Sequence, residues 1–179
     1  MSIVTEEFFA QPQRRPATAD EAKALANPLR LRILRLCLER ARTNKELGEY
    51  LGREPGALLH HVRKLHRTGF LELAEQRPGP RGTVEKPYRA TGKSWTLDVG
   101  DTEQAVSFAA LEAFREETRE AGAARQVMMS RLTLRLSEDR AGELSQRLQD
   151  LIAEYHATQD PDGNAYGAFL AIHLSPDDP

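Results

Sequence analysis

Three histidines and three cations crowd one short stretch, EPGALLHHVRKLHRTGFLEL, residues 54–73. Imidazole can bind a metal, act as a general base, or donate hydrogen bonds to a polyanion. Spacing separates these roles. His60 and His61 are adjacent, and neighbouring side chains on a helix diverge by about 100°, so the two cannot hold one ion. His61 and His66 are five apart, which misses the i, i+4 spacing of helical ligand pairs. Cys37, the single cysteine, sits in RILRLCLER at a core spacing and is expected to be a buried thiol. No metal and no cofactor are therefore expected. Catalysis is not expected either: GxSxG, P-loop, HExxH and dinucleotide fingerprints are all missing from the sequence. The acids Glu138 and Asp139 read as helix N-terminal bias. His61 reads as a packed histidine, and the isolated His156 and His173 as structural.

The third role, a surface facing a polyanion, gains from the charge distribution. The whole chain carries a net charge of only -2. Residues 28–93 nevertheless hold 15 Lys and Arg against 7 Asp and Glu, while residues 94–179 hold 7 against 16. A basic module is thus joined to an acidic one, which points to a polyanionic partner for the first. With 179 residues, 40% hydrophobic and 29% charged, the chain should fold as one large or two small globular domains. No apolar run reaches the ~18 residues of a membrane span. The opening MSIVTEEFFAQPQRRPATA lacks the cationic start and apolar core of a signal peptide. A cytoplasmic protein with no membrane partner is the expectation.

The elements that must position the histidine stretch can be read in order. Residues 1–17, with two prolines, read as a flexible arm whose Phe8 and Phe9 can dock on the body. Thr18 caps a helix with Asp20 and Glu21 in its first turn. Pro28 starts the next, PLRLRILRLCLER, with Leu29, Ile33, Leu36 and Cys37 on one face and Arg30, Arg32, Arg35 and Arg40 over much of the rest. Thr43 and Glu46 form a capping box for a short helix with Leu47 and Leu51 inside. Gly52 supplies a tight turn. Pro55 opens the following helix, whose buried stripe is Leu58, Val62 and Leu65, and Gly69 ends it. Two short helices joined through a glycine turn outline a helix-turn-helix. FLELAEQ and TVEKPYRAT then read as strands around the turn RPGPRG, with Pro87 forcing an edge. A helix-turn-helix followed by a basic hairpin is a winged helix, here spanning 18–97, with Trp95 and Leu97 closing it against the core.

Beyond the wing, residues 101–127 predict a long linking helix. Its apolar face, with Val106, Ala109, Ala110, Leu111 and Phe114, is too wide for one short neighbour and is expected to pair two chains. SRLTLRLS alternates strictly, EDRAGELSQRLQDLIAEYHA is amphipathic, and YGAFLAIHLS reads as a final strand. Residues 128–179 are therefore expected as a small strand-helix-strand unit. Two strands and a helix bury too little surface to stand alone. The unit should pack on the linking helix or on its copy in a partner chain. It would serve as a dimer clamp, or as a sensor with Tyr155 and Tyr166 offering polar handles to a small organic effector. The fold class is mainly α with small β (α+β).

The stretches ALANPLRLRILRLCLER, TNKELGEYLG, ALLHHVRKLHRTGFLE and EKPYRAT, over about residues 19–97, resemble the ArsR-like winged helix-turn-helix transcriptional regulators. The resemblance implies a cytoplasmic homodimer that binds operator DNA and represses transcription. Metal-sensing members carry a CxC-type cysteine pair on a motif helix, or Asp and His ligands on a terminal helix; neither is present here. The start of the second motif helix, REPGALL, also lacks the usual Ser and Thr hydroxyls. Gly56, Ala57 and Leu59 suit thymine methyls and sugars rather than bidentate base bonds.

With Leu58, Val62 and Leu65 inward, His60, Lys64 and Arg67 share the outer face with Ala57, and Arg63 flanks them. That face suits the major groove of double-stranded DNA, with half-sites about one turn apart. Arg77 and Arg81 at the stiff wing tip suit a minor groove or phosphates. Lys45 and Arg89 are further phosphate contacts. The competing reading is a winged-helix module for protein–protein contact with little specific DNA binding. Salt-dependent binding to random duplex separates the two.

Overall fold

The structure, a computed structural model, describes residues 14–158, 160 and 162–174. The expected docking of Phe8 and Phe9 lies outside the described residues. The chain divides into two compact units, with the boundary between Glu117 and Thr118.

The first unit is built around three helix starts that local chemistry dictates. In α1 (Ala19–Leu25), the Thr18 hydroxyl accepts from the Glu21 amide at 3.3 Å, and the Glu21 carboxylate accepts from the Thr18 amide at 2.8 Å. Asn27 caps α2 (Pro28–Glu39) by accepting from the Arg30 amide at 3.1 Å, with proline in the first turn. Thr43 and Glu46 form the same reciprocal box at α3 (Asn44–Leu51), with bonds of 3.1 and 2.7 Å. Each box satisfies two amides that a helix start leaves unpaired. Gly52 then takes φ +61°, a left-handed conformation that ends α3 and turns the chain into α4 (Pro55–Arg67).

Ile33, Leu47, Leu58, Val62, Leu65, Phe70 and Leu71 are almost wholly removed from water at the centre of this unit. Such burial contributes about 1.5–3 kcal/mol for each large aliphatic side chain. Cys37 is fully buried among them, and burial pushes its thiol up to about 12, so it is inert toward metals and oxidants near neutral pH. Arg32, expected on the polar face of α2, is buried instead.

The wing is a hairpin in two pieces. Antiparallel β2 (Leu71–Leu73) pairs with β5 (Tyr88–Ala90), and β3 (Arg77–Pro78) with β4 (Val84–Glu85). The break falls where Pro87, which has no amide to donate, still accepts from the Ala74 amide at 2.9 Å. Arg42 bridges the other side of β5 through Tyr88, at 2.9 and 2.8 Å. Two expectations are corrected here. Arg15–Pro16, placed in a flexible arm from sequence, form β1 and pair in parallel with β6 (Leu97–Asp98). Leu97 closes the core, but Trp95 is 69% exposed on a one-turn 3-10 helix, because that turn presents its ring to solvent.

The long helix α5 (Glu103–Ala121) runs from the first unit across the boundary. Ala109 and Ala113 are buried, Val106 packs on the core, and Glu117 pairs with Arg35 of α2. Part of the face read as a dimer surface is therefore satisfied within the chain: Val106 and Ala109 face inward, while Leu111 stays exposed beside Phe108. Ala110 and Phe114 are half-buried. Alanine-rich patterning marks close packing without saying whose surface is approached.

In the second unit, Ser137 caps α6 (Glu138–Ala157), whose first turn holds Glu138 and Asp139, as read from sequence. The flanking strands expected at 130–137 and 166–175 are not formed among the described residues. Alternating side chains supply a face but not a ladder, and a strand needs a neighbouring backbone to satisfy its amides and carbonyls. Leu132, Leu134, Ile172 and Leu174 are consequently exposed. Tyr155 and Tyr166 are also open to solvent, at 69% and 73%, so no crevice encloses them in the single chain.

Candidate nucleic-acid interface

Helix α4 is held from behind and free in front. Leu58, Val62 and Leu65 anchor it in the core. The Asn44 side chain donates to the Pro55 carbonyl at 2.6 Å, which fixes the start of α4 against α3. Gly48 allows that approach: a Cβ there would lie 2.7 Å from the Arg53 carbonyl oxygen and 3.2 Å from Pro55 Cγ. Sequence reasoning passed over Gly48, since a glycine inside a helix carries no spacing signal of its own. The Thr68 hydroxyl donates to the Lys64 carbonyl at 2.8 Å and closes the other end.

On the free face, Gly56, Ala57, Leu59, His60, Arg63 and Arg67 are exposed, and Lys64 is half-buried. The predicted stripe is therefore brought together, on one side of one helix. The two adjacent histidines depart from expectation: their rings do not diverge but lie 3.7 Å apart, tilted by 40°. His61 is the inner member, with Nδ1 buried and unpartnered. Burial, with help from His60, Arg30 and Arg53, lowers its pKa to about 4, so it is neutral at pH 7. His66 is structural; its Nδ1 lies 3.1 Å from the Leu71 carbonyl, and its ring meets Tyr88 edge-on at 5.6 Å. Among the described residues, no three His, Cys, Asp or Glu side chains gather where a metal could be held. His173 Nδ1 lies 2.9 Å from the carbonyl of its neighbour Leu174.

The wing residues are less alike than the sequence suggested. Arg77 donates to Glu85 at 2.7 Å and to Glu46 at 2.6 Å. These two carboxylates raise its pKa and make it a strut between the wing and α3. Arg81 stands in the one-turn 3-10 helix Pro80–Gly82 at the tip; its side chain lies outside the described part. Arg89 is exposed on β5. Lys45 is exposed on α3 and loosely paired with Glu49 at 3.8 Å.

Two cations that sequence reasoning left out complete the surface. Lys23 of α1 and Arg30 of α2 line an open concavity together with His60, Arg63, Lys64 and Arg67. They lie 32 and 25 residues before Pro55, the first residue of α4, so only tertiary packing reveals the grouping. Lys64 is not free there; its Nζ is 2.9 Å from Asp20 Oδ1, and Arg67 is 3.7 Å from Asp20 Oδ2.

A buried helix-turn-helix scaffold, an exposed cationic second helix and a hairpin wing define the class of DNA-binding transcriptional regulators. Residues 27–72 match the family model described as "Bacterial regulatory protein, arsR family", so the ArsR-like helix-turn-helix read from the sequence stands for that segment. No curated protein matches the chain. Among solved structures, the chain is similar to a mutant of ZitR from Lactococcus lactis in its apo form. The two are 20% identical over 75% of this chain and 86% of that one, with a TM-score of 0.32. Among the described residues, no helix is long and apolar enough to cross a membrane.

Proposed function

We propose that this chain is a cytoplasmic, homodimeric transcriptional repressor that reads a two-half-site operator. The observation that carries this reading is the outer face of α4, where His60, Arg63, Lys64 and Arg67 converge while the opposite face is locked in the core. Lys and Arg there meet phosphates and guanine edges, and His60 donates to either. Gly56, Ala57 and Leu59 lie against sugars and thymine methyls. The wing, through Arg81 and Arg89, and Lys45 on α3 grip the flanking backbone. Arg77 serves this surface by holding the wing in place.

Dimer formation is supported by the apolar surface that one chain leaves exposed: Phe108 and Leu111 on α5, and Leu132, Leu134 and Ile172 in the second unit. A partner chain can supply the missing strand neighbours for 130–137 and 166–175, which favours the clamp role. An effector crevice lined by Tyr155 and Tyr166 would have to form between two chains. The exposed apolar residues and acidic balance of the second unit also fit a module for protein contact, which is the second reading.

Gel-shift assays on the DNA upstream of the chain's own coding region test the proposal. Replacing His60 with alanine should change sequence preference. Replacing Arg77 and Arg81 together should weaken binding to all duplexes about equally. A double wing variant that binds like the parent at ~150 mM salt contradicts the wing's part. Binding that ignores salt and sequence alike leaves the protein-contact reading.

A further inference from the structure

The concavity between α1, α2 and α4 has a volume of about 700 Å³ and a one-sided electrostatic wall. Five cations and His60 line it, and two of those cations, Lys64 and Arg67, also meet the carboxylate of Asp20. Arg30 is already in place: its Nε and Nη2 donate to the carbonyls of Ala24 and Lys23, both at 2.6 Å. That anchorage ties its guanidinium to the end of α1. Arg63 and Arg67 rise from α4 at the exposed rim. Like charges gathered in a concave wall create a strong positive potential, and an anion entering it is attracted by all of them. A duplex backbone fits this chemistry better than a lone carboxylate, since its closely spaced phosphodiesters bring several single negative charges to diverging donors.

Asp20 already behaves as a small version of that anion. Its carboxylate sits 2.9 Å from Lys64 Nζ and 3.7 Å from Arg67 Nη2, yet it is itself exposed on the first turn of α1. The hydrogen bond from Lys64, and then its charge, hold the Asp20 carboxyl below the usual range. The pairing engages two of the cations that α4 presents for DNA and offsets one unit of their charge.

We propose that this concavity is a phosphate-binding site for the duplex backbone, and that Asp20 is an intramolecular stand-in which a DNA phosphate displaces from Lys64 and Arg67. The inference rests on the DNA-binding reading and adds Lys23, Arg30 and Asp20 to it. The Asp20 contact is autoinhibitory: DNA must break it before those two cations can be used. It weakens binding to every sequence and leaves discrimination to the base-facing atoms of α4.

The test uses the full chain and two arms. Fluorescence anisotropy with a random duplex, at several salt concentrations, compares the parent with Asp20→Asn and Lys23→Gln. Asp20→Asn should bind roughly three- to tenfold tighter near 0.1 M salt, and Lys23→Gln more weakly with a salt slope shallower by about one. The second arm titrates inorganic pyrophosphate without DNA and follows the His60 ring resonances by NMR. They should move in the parent, move at lower concentration in Asp20→Asn, and respond weakly in Lys23→Gln. Duplex binding that neither substitution alters, with His60 unmoved by pyrophosphate, overturns the site and leaves the DNA reading standing. A pyrophosphate response that Lys23→Gln weakens, in a chain that binds no duplex, supports a phosphate site for a free phosphate compound and removes the DNA reading instead. Asp20→Asn binding no tighter than the parent overturns the stand-in role.

Discussion

Glu21 shows how much a single side chain can tie together. It is buried, closes the α1 capping box, and accepts from Arg15 at 2.9 and 2.7 Å and from Lys93 at 2.6 Å. Lys93 in turn donates to the Thr68 carbonyl at 2.6 Å and lies 5.3 Å from the Phe70 ring centroid. Strand β1, helix α1, the end of α4 and the turn after the wing thus meet at one carboxylate. The hydrogen bonds from Arg15, and then from Lys93, hold the Glu21 carboxyl far below the ordinary range. Its stabilisation is therefore complete above the unfolded pKa of about 4.3. It fades as the pH falls below that value toward the folded one. Glu21→Gln should cost about 2 kcal/mol at pH 7, less than a fully buried pair would because Arg15 is half exposed. The variant should also lose less stability than the parent between pH 5 and pH 3. Urea melts at the three pH values check both; equal stability at pH 7 contradicts the role.

At the scale of elements, the turn between α3 and α4 decides where the DNA-facing stripe points. Gly48→Ala would push a methyl to within 2.7 Å of a backbone carbonyl, which no rotamer relieves. Overpacking of this kind costs roughly 1–3 kcal/mol. The variant should melt earlier and bind operator at least tenfold more weakly, because α4 is displaced as a body. Unchanged duplex affinity would mean that the α3–α4 angle does not set recognition. This helix-turn-helix was legible in the sequence because its signals are local: Thr43 with Glu46, Gly52, Pro55, and leucines at helical spacing. Cys37 and the histidine stripe were legible for the same reason. Other features depend on partners distant in sequence. Strand β1 exists only because β6 lies beside it, and the Lys23–Arg30 wall only because α1 and α2 pack next to α4. The segments 130–137 and 166–175 make the opposite case. Their pattern is a local signal, but among the described residues no partner backbone pairs with them, so pattern alone overstated the structure.

For the molecule as a whole, the near-neutral total charge hides two surfaces of opposite sign, and the account gives each a task. On the proposed reading, the basic unit meets DNA, and the acidic unit, which DNA repels, joins two chains. Sedimentation at micromolar concentration should find a dimer. Deleting residues 128–179 should weaken the dimer about tenfold or more and lower operator affinity with it. A monomer under all conditions contradicts the clamp and the two-half-site reading together. The central claim is that the basic winged helix works by neutralising backbone phosphates. It is tested most directly by measuring the affinity of the intact chain for a random duplex between about 50 and 200 mM salt. Four or more phosphate contacts predict a loss of at least about 100-fold over that range, with log affinity falling linearly against log salt. Affinity that stays flat across the range, or no binding even at the lowest salt, would contradict it.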